Sequence, residues 1–141
     1  WFREHPLLHL PIEAFALPLA LAGLGGRWRL AGAFYLASLL GTAATDTAIA
    51  LTGLMPLWPQ VLSAPLSEAP LLLRQAGETV LEPANITLVT AMAALLIGVC
   101  TQLWKRGGSA RVSAATLAAT LAVDGVFLAA ALLAPLSSGL I

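Results

Sequence analysis

The sequence predicts an all-α, polytopic membrane protein with about four transmembrane helices and a proline-rich surface segment between the second and third. Of its 141 residues, 59% are hydrophobic and 10% are charged, and the mean hydropathy is +0.89. A soluble domain carries roughly a quarter of its residues as charges. Four apolar stretches approach the length of about 20 residues that a helix needs to cross a bilayer. Since lipid offers no hydrogen bonds to the backbone, such stretches form helices.

We expect a single transmembrane helical domain over residues 1–141, with helices at about 7–26, 30–55, 86–104 and 112–134. Pro11 can open the first helix, and Pro18 should kink it because proline lacks a backbone donor. The extramembrane connection at about 56–85 contains five prolines, and its apolar runs are too short to span. It predicts irregular chain with one or two short helices on the membrane surface, with re-entry or capping of the bundle as alternatives.

Basic residues predict the orientation in the membrane. Five of the seven lie in two short loops, Arg27 and Arg29 at 27–29 and Lys105, Arg106 and Arg111 at 105–111. The positive-inside bias predicts that both loops are cytoplasmic and that both ends of this chain face the opposite side.

Small residues recur every fourth position on two predicted helices and should allow close helix packing, either inside the chain or between subunits. The two stripes are Ala37, Gly41 and Thr45 on the second helix, and Ala114, Ala118 and Ala122 on the fourth.

Three acids, Glu13, Asp46 and Asp124, lie within predicted spans that contain no lysine or arginine. An ionisable group in hydrocarbon costs roughly 2.5–3.5 kcal/mol on insertion scales, which marks these positions as a polar site in the membrane. Counted from the non-cytoplasmic ends, the acids lie about 9, 13 and 15 Å deep, so all three should share the outer half of the bilayer. Thr42 and Thr45 belong to the same predicted site, because both lie within one turn of Asp46.

The predicted site has several interpretations. The acids can hydrogen-bond one helix to another, form a proton or ion pathway, or contribute to a metal or pigment site. His9 precedes Glu13 by one turn and could ligate a metal or the magnesium of a chlorophyll, or lie at the membrane interface. A pair without a third ligand does not predict a metal site.

Other classes of function are disfavoured. The single cysteine, Cys100, excludes an intrachain disulfide, and zero net charge argues against nucleic acid as a partner. The sequence contains no nucleophile elbow, zinc-binding HExxH or phosphate-binding glycine loop, so we do not expect an enzyme.

Three motifs carry a resemblance to a known family: HLPIEAFALPLAL at 9–21, FYLASLLGTAATD at 34–46 and VDGVFLAA at 123–130. They resemble an uncharacterised family of cyanobacterial integral membrane proteins, known as a domain of unknown function. The resemblance covers the predicted helices well and the middle connection poorly. It implies that this chain corresponds to the carboxy-terminal part of longer proteins, and that it resides in the thylakoid or cytoplasmic membrane of a photosynthetic organism.

Two functions follow as hypotheses. The first is an accessory or assembly subunit of a photosynthetic membrane complex such as a photosystem, in contact with membrane lipids and with chlorophyll or carotenoid at the helix surface. The second is a proton- or cation-coupled transporter, or a subunit of one, with the three acids as a relay. The relay requires that the acids converge on a water-accessible cavity.

Overall fold

The computed structural model describes residues 6–65 and 67–133, with the side chains at 6–9 and 62 left out of the description. All regular structure in this part of the chain is helical. In chain order it comprises α1 (Pro6–Glu13), a 3₁₀ turn (Ala14–Ala16), α2 (Leu17–Gly23), α3 (Arg29–Leu51), α4 (Trp58–Ser63), α5 (Ala69–Val80), α6 (Pro83–Arg106) and α7 (Ser109–Leu133).

Three of these helices, α3, α6 and α7, are long and apolar enough to cross a membrane. They have 23, 24 and 25 residues, which exceeds the roughly 20 that a bilayer requires. A shorter apolar stretch, Leu10–Gly23, precedes them. The chain is therefore all-helical and has the helix lengths and composition of an integral membrane protein.

The first predicted helix, at 7–26, is not continuous in the structure. It breaks into α1 and α2 at the 3₁₀ turn between them. Pro18 lies in the first turn of α2, where its missing N–H is tolerated, and the helix before it closes with tighter 3₁₀ bonding. The prediction that Pro11 opens the first helix is also wrong, since Pro11 lies inside α1.

Prolines and glycines set several other helix ends. Pro59, Pro70 and Pro83 lie in the first turns of α4, α5 and α6, where a missing N–H removes no helical bond. Gly53 follows the end of α3 with φ of 74°, which explains why α3 stops short of the predicted boundary at 55. The predicted fourth helix ends at Ala134, which lies outside the described residues.

Helices α3 and α7 run parallel and in register along their lengths. Near the basic end, the Ser113 hydroxyl donates to the backbone oxygen of Ala33 at 3.0 Å. In the middle, a Cβ placed on Gly41 would lie 2.8 Å from Thr120 Oγ1. Because the helices are parallel, Arg29 and Ser109 begin them at the same end. Both basic loops therefore lie at one end of the bundle.

The proline-rich connection lies at the opposite end. There, Gly77 of α5 packs against Leu132 near the end of α7. A Cβ added to Gly77 would lie 2.9 Å from Leu132 Cδ2. Asn85 at the start of α6 donates through Nδ2 to the backbone oxygens of Thr52, at 3.2 Å, and Thr79, at 2.9 Å. One side chain thus joins the ends of α3 and α5 to the beginning of α6.

The small-residue stripes have different outcomes. On α3, Ala37 and Gly41 are buried. On α7, Ala114 is buried but Ala118 and Ala122 are exposed, so the α7 stripe does not pack inside the chain over its length, and packing between subunits stays a prediction. The α7 residues that meet α3 are Ser113, Thr120 and Asp124, and Leu117 between them is buried.

Candidate functional site

A polar pair joins α3 to α7 in the half of the bundle away from the basic loops. The Thr45 hydroxyl donates to Asp124 Oδ2 at 2.7 Å. The backbone oxygen of Gly41, one turn earlier on α3, lies 3.1 Å from the same hydroxyl. A threonine hydroxyl has one proton to donate, and the shorter distance favours the carboxylate. The predicted site residues Thr45 and Asp124 are therefore brought together.

Asp46 is the most deeply buried of the three acids, with 8% of its surface exposed. It follows Thr45 directly, so its side chain points about 100° further round α3 than the side chain that reaches Asp124. Asp46 of α3 and Asp124 of α7 thus lie at the same level of the bundle, but on different sides of α3. Thr42 lies one turn before Asp46 and is half-buried.

Glu13 lies apart from the other two acids. Its side chain is exposed, and its backbone oxygen accepts a hydrogen bond from the hydroxyl of Tyr35. Tyr35 precedes Asp46 by eleven residues, about 16 Å along the axis of α3. Glu13 therefore lies nearer the level of Tyr35 than that of Asp46, and the predicted common depth does not hold for it.

His9 belongs to α1 by its backbone, but its side chain lies outside the described residues. Within the part of the chain that the structure describes, no three His, Cys, Asp or Glu side chains are grouped as a metal site requires.

An apolar cavity of about 470 Å³ adjoins the polar pair. Residues from α3, α4, α5, α6 and α7 line it, and their side chains are apolar except for Thr45, Thr52, Asp124 and the indole nitrogen of Trp58. The Thr52 hydroxyl is used within its own helix, since it donates to the Ala48 oxygen at 2.7 Å. Asp124 is the acid that lines this cavity.

Sequence reasoning missed the contacts of Ser113 and Thr120 with α3 and the hydrogen bonds of Asn85. A signal for the first two was present, because Ser113, Thr120 and Asp124 recur at helical spacing on one face of α7. No comparable signal marked Asn85, whose partners are backbone oxygens from elements distant in the sequence.

The arrangement has two chemical capacities. The Thr45–Asp124 bond holds α3 and α7 together, as polar side chains do between membrane helices. The second oxygen of Asp124 has no hydrogen-bond partner among the described residues, and Asp124 lines the cavity, so the carboxyl can accept a bond from a molecule there.

Comparison with known proteins identifies a family. The profile of a family described as "Protein of unknown function (DUF3120)" matches residues 1–132. No curated protein and no solved structure matches the chain. The matched residues include all three predicted motifs and both partners of the polar pair. The chain belongs to this family of uncharacterised proteins.

Proposed function

We propose that the chain is an accessory or assembly subunit of a larger photosynthetic membrane complex, such as a photosystem, in a cyanobacterial thylakoid or cytoplasmic membrane. Its role is structural and involves no catalysis. Its partners are membrane lipids and the transmembrane helices of other subunits. The resemblance of its three motifs to cyanobacterial membrane proteins supports the choice of membrane.

The observation that carries the proposal is a line of small residues that α6 leaves uncovered. Thr90, Ala94 and Gly98 recur every fourth position, and all three are exposed. A Cβ placed on Gly98 would meet no atom within 4 Å. Small residues at this spacing are typical of faces on which a second membrane helix packs closely. No described helix of this chain occupies that face at Gly98.

The residues beside this line differ in size. Leu95 and Ile97 are 69% and 55% exposed and flank Ala94 and Gly98 on the same helix. Large apolar side chains suit contact with lipid tails, whereas the line between them would leave a shallow groove in the lipid-facing surface. A partner helix fills such a groove with dispersion contacts.

The proposal includes a fourth membrane crossing by residues 6–23, with α1 and α2 as two short helical halves. The loops at 27–29 and 105–111 then face the cytoplasm, and the α4–α5 connection faces the other side together with both ends of this chain. The grouping of the basic loops at one end of the bundle supports this orientation. Chlorophyll or carotenoid would lie against the outer helix surfaces.

Mild solubilisation of native membranes tests the proposal. A tagged chain should migrate on a native gel with a larger assembly, and its purification should bring transmembrane subunits and pigment with it. A chain that migrates alone, without pigment, at every detergent concentration that preserves known complexes would overturn the proposal.

The transport hypothesis has less support from the geometry. A relay through Glu13, Asp46 and Asp124 needs the three acids to converge on a hydrated cavity. Glu13 lies at another level of the bundle, and the cavity beside Asp124 is lined almost entirely by apolar side chains. The transport hypothesis has a direct test: Asp124→Asn should abolish proton-coupled transport and leave assembly intact.

A further inference from the structure

The cavity beside α7 has the properties of a small-molecule site. At about 470 Å³ it falls within the range of roughly 300–1,000 Å³ that is usual for ligand sites. Such sites combine a mainly apolar lining with a few polar groups that orient the ligand. Here the apolar lining is supplied by five helices, and the orienting group is the carboxyl of Asp124.

We propose that this cavity binds one amphipathic molecule with an apolar body and a hydroxyl group, and that the hydroxyl donates a hydrogen bond to Asp124. The proposal does not depend on the accessory-subunit role, because it concerns the cavity between the helices and not the outer face of α6. The apolar body would extend from Asp124 toward Trp58, since both residues line the cavity.

The hydrogen-bonding capacity of the walls selects the head group. Thr45 and Thr52 already donate their hydroxyl protons to Asp124 and to the Ala48 oxygen. The remaining capacity is the second carboxyl oxygen of Asp124, which can accept a hydrogen bond, and the indole N–H of Trp58, which can donate one. A ligand hydroxyl can donate to the Asp124 oxygen. A ligand carboxylate fits less well, because it brings further acceptors and no donor to the acceptor on Asp124.

An ammonium head group is the alternative to a hydroxyl. It could pair with the carboxyl of Asp124, but it carries three donors, and the lining offers them few acceptors. The basic side chains of the described residues offer no competing partner for Asp124. Those at the helix ends are exposed at the opposite end of the bundle, and Arg74 is bonded to Glu78 at 2.8 Å on the exposed surface of α5.

Photoaffinity labelling of the chain in nanodiscs of saturated phosphatidylcholine tests the proposal. Three probes share one long alkyl chain with a diazirine and differ only in the head group: a primary alcohol, its methyl ether and a primary amine. The alcohol should label peptides of α3, α5 and α7 about three- to tenfold more than the ether, which is the difference expected from one hydrogen bond. Excess unlabelled alcohol should compete.

Two variants locate the labelling within the cavity. Ala93→Phe places a large side chain into the cavity wall and should abolish the labelling, whereas Ala91→Phe, at an exposed position of the same helix outside the cavity lining, should not. Asp124→Leu should make the alcohol and the ether equivalent.

Other outcomes would overturn the proposal. Equal labelling by alcohol and ether in the unmodified chain would show lipid-like contact without recognition of a hydroxyl. Stronger labelling by the amine would show a cation site instead. Labelling that persists in Ala93→Phe would place the probes on the outer surface. The comparison of the three probes uses the unmodified chain, so it does not depend on whether any variant folds.

Discussion

Thr45 and Asp124 are 79 positions apart in the chain, and the hydroxyl of one lies 2.7 Å from the carboxylate of the other. The same spacing, within one residue, relates Ser113 to Ala33 across the same helix pair. A constant offset is the signature of two parallel helices in register. The Thr45–Asp124 bond is therefore part of a continuous α3–α7 interface, whose other contacts place the two partners opposite one another.

The Thr45–Asp124 bond should stabilise the bundle measurably. Thr45→Val keeps the side-chain shape and removes the donor, so the free energy of unfolding in mixed micelles should fall by about 1 kcal/mol. A double-mutant cycle with Asp124→Leu should give a coupling energy of roughly 0.6–1.7 kcal/mol, the range for hydrogen bonds between membrane helices.

Thr47→Val is the matched control for this cycle. Thr47 is exposed, and its hydroxyl bonds to Ala43 of its own helix at 2.6 Å. Its replacement should change stability by less than about 0.5 kcal/mol. A coupling energy near zero for Thr45 and Asp124 would contradict the bond as a stabilising contact.

Gly41 permits the close approach of α3 and α7. In Gly41→Ala the new Cβ would lie 2.8 Å from Thr120 Oγ1, closer than such atoms pack. Overpacking of this kind should lower the free energy of unfolding by about 1–3 kcal/mol, measured in mixed micelles. Adding Thr120→Ala should restore part of the loss, because it removes the nearest atoms. Gly98→Ala, which meets nothing within 4 Å, should be neutral in the same assay.

Asn85 should hold the proline-rich connection to the bundle. Asn85→Leu removes both hydrogen bonds that its amide donates, to the Thr52 and Thr79 oxygens. We expect backbone amides of α5 to exchange with deuterium roughly tenfold faster, since about 1.4 kcal/mol of local stability corresponds to that factor. Thr87→Val serves as control, because the Thr87 hydroxyl bonds only within α6, at 2.6 Å from the Pro83 oxygen. Unchanged exchange in α5 would contradict this prediction, because it would show that packing of α5 on α7 holds the connection without the Asn85 hydrogen bonds.

The proposed membrane sides can be measured with single cysteines. In a Cys100→Ala background, Gly25→Cys and Ser109→Cys should react with an impermeant maleimide from the cytoplasmic side only. Ser67→Cys should react from the other side only. If Gly25→Cys and Ser109→Cys react from opposite sides, the parallel arrangement of α3 and α7 in the membrane is wrong.

Much of the fold follows from the sequence because apolar length and turn residues are local properties. The prediction of helices over 86–104 and 112–134 differs from α6 and α7 by only a few residues at each start. The break before Pro18 was predicted only as a kink, since sequence does not reveal whether a helix bends or closes with a 3₁₀ turn.

The candidate site was less predictable, because it depends on helix rotation and register. Thr45 and Asp124 were named among the site residues, but their direct bond could not be derived from either motif. Ala118 and Ala122 formed a predicted packing stripe, but within the chain they are exposed, and the polar positions Ser113 and Thr120 mark the interface with α3. Spacing indicates which residues share a face, and only tertiary contacts show which face is used.

The accessory-subunit role is tested most directly by comparing Gly98→Leu with the unmodified chain on a native gel of mildly solubilised membranes. Gly98 has open space around it, so the variant should fold and insert normally, but a leucine should block the close approach of a partner helix. We predict that the unmodified chain and a Leu95→Phe control migrate with the larger assembly, and that Gly98→Leu migrates free of it. Co-migration of Gly98→Leu to the same extent as the control would contradict the proposed interface on α6, and migration of all three chains alone would contradict the role itself.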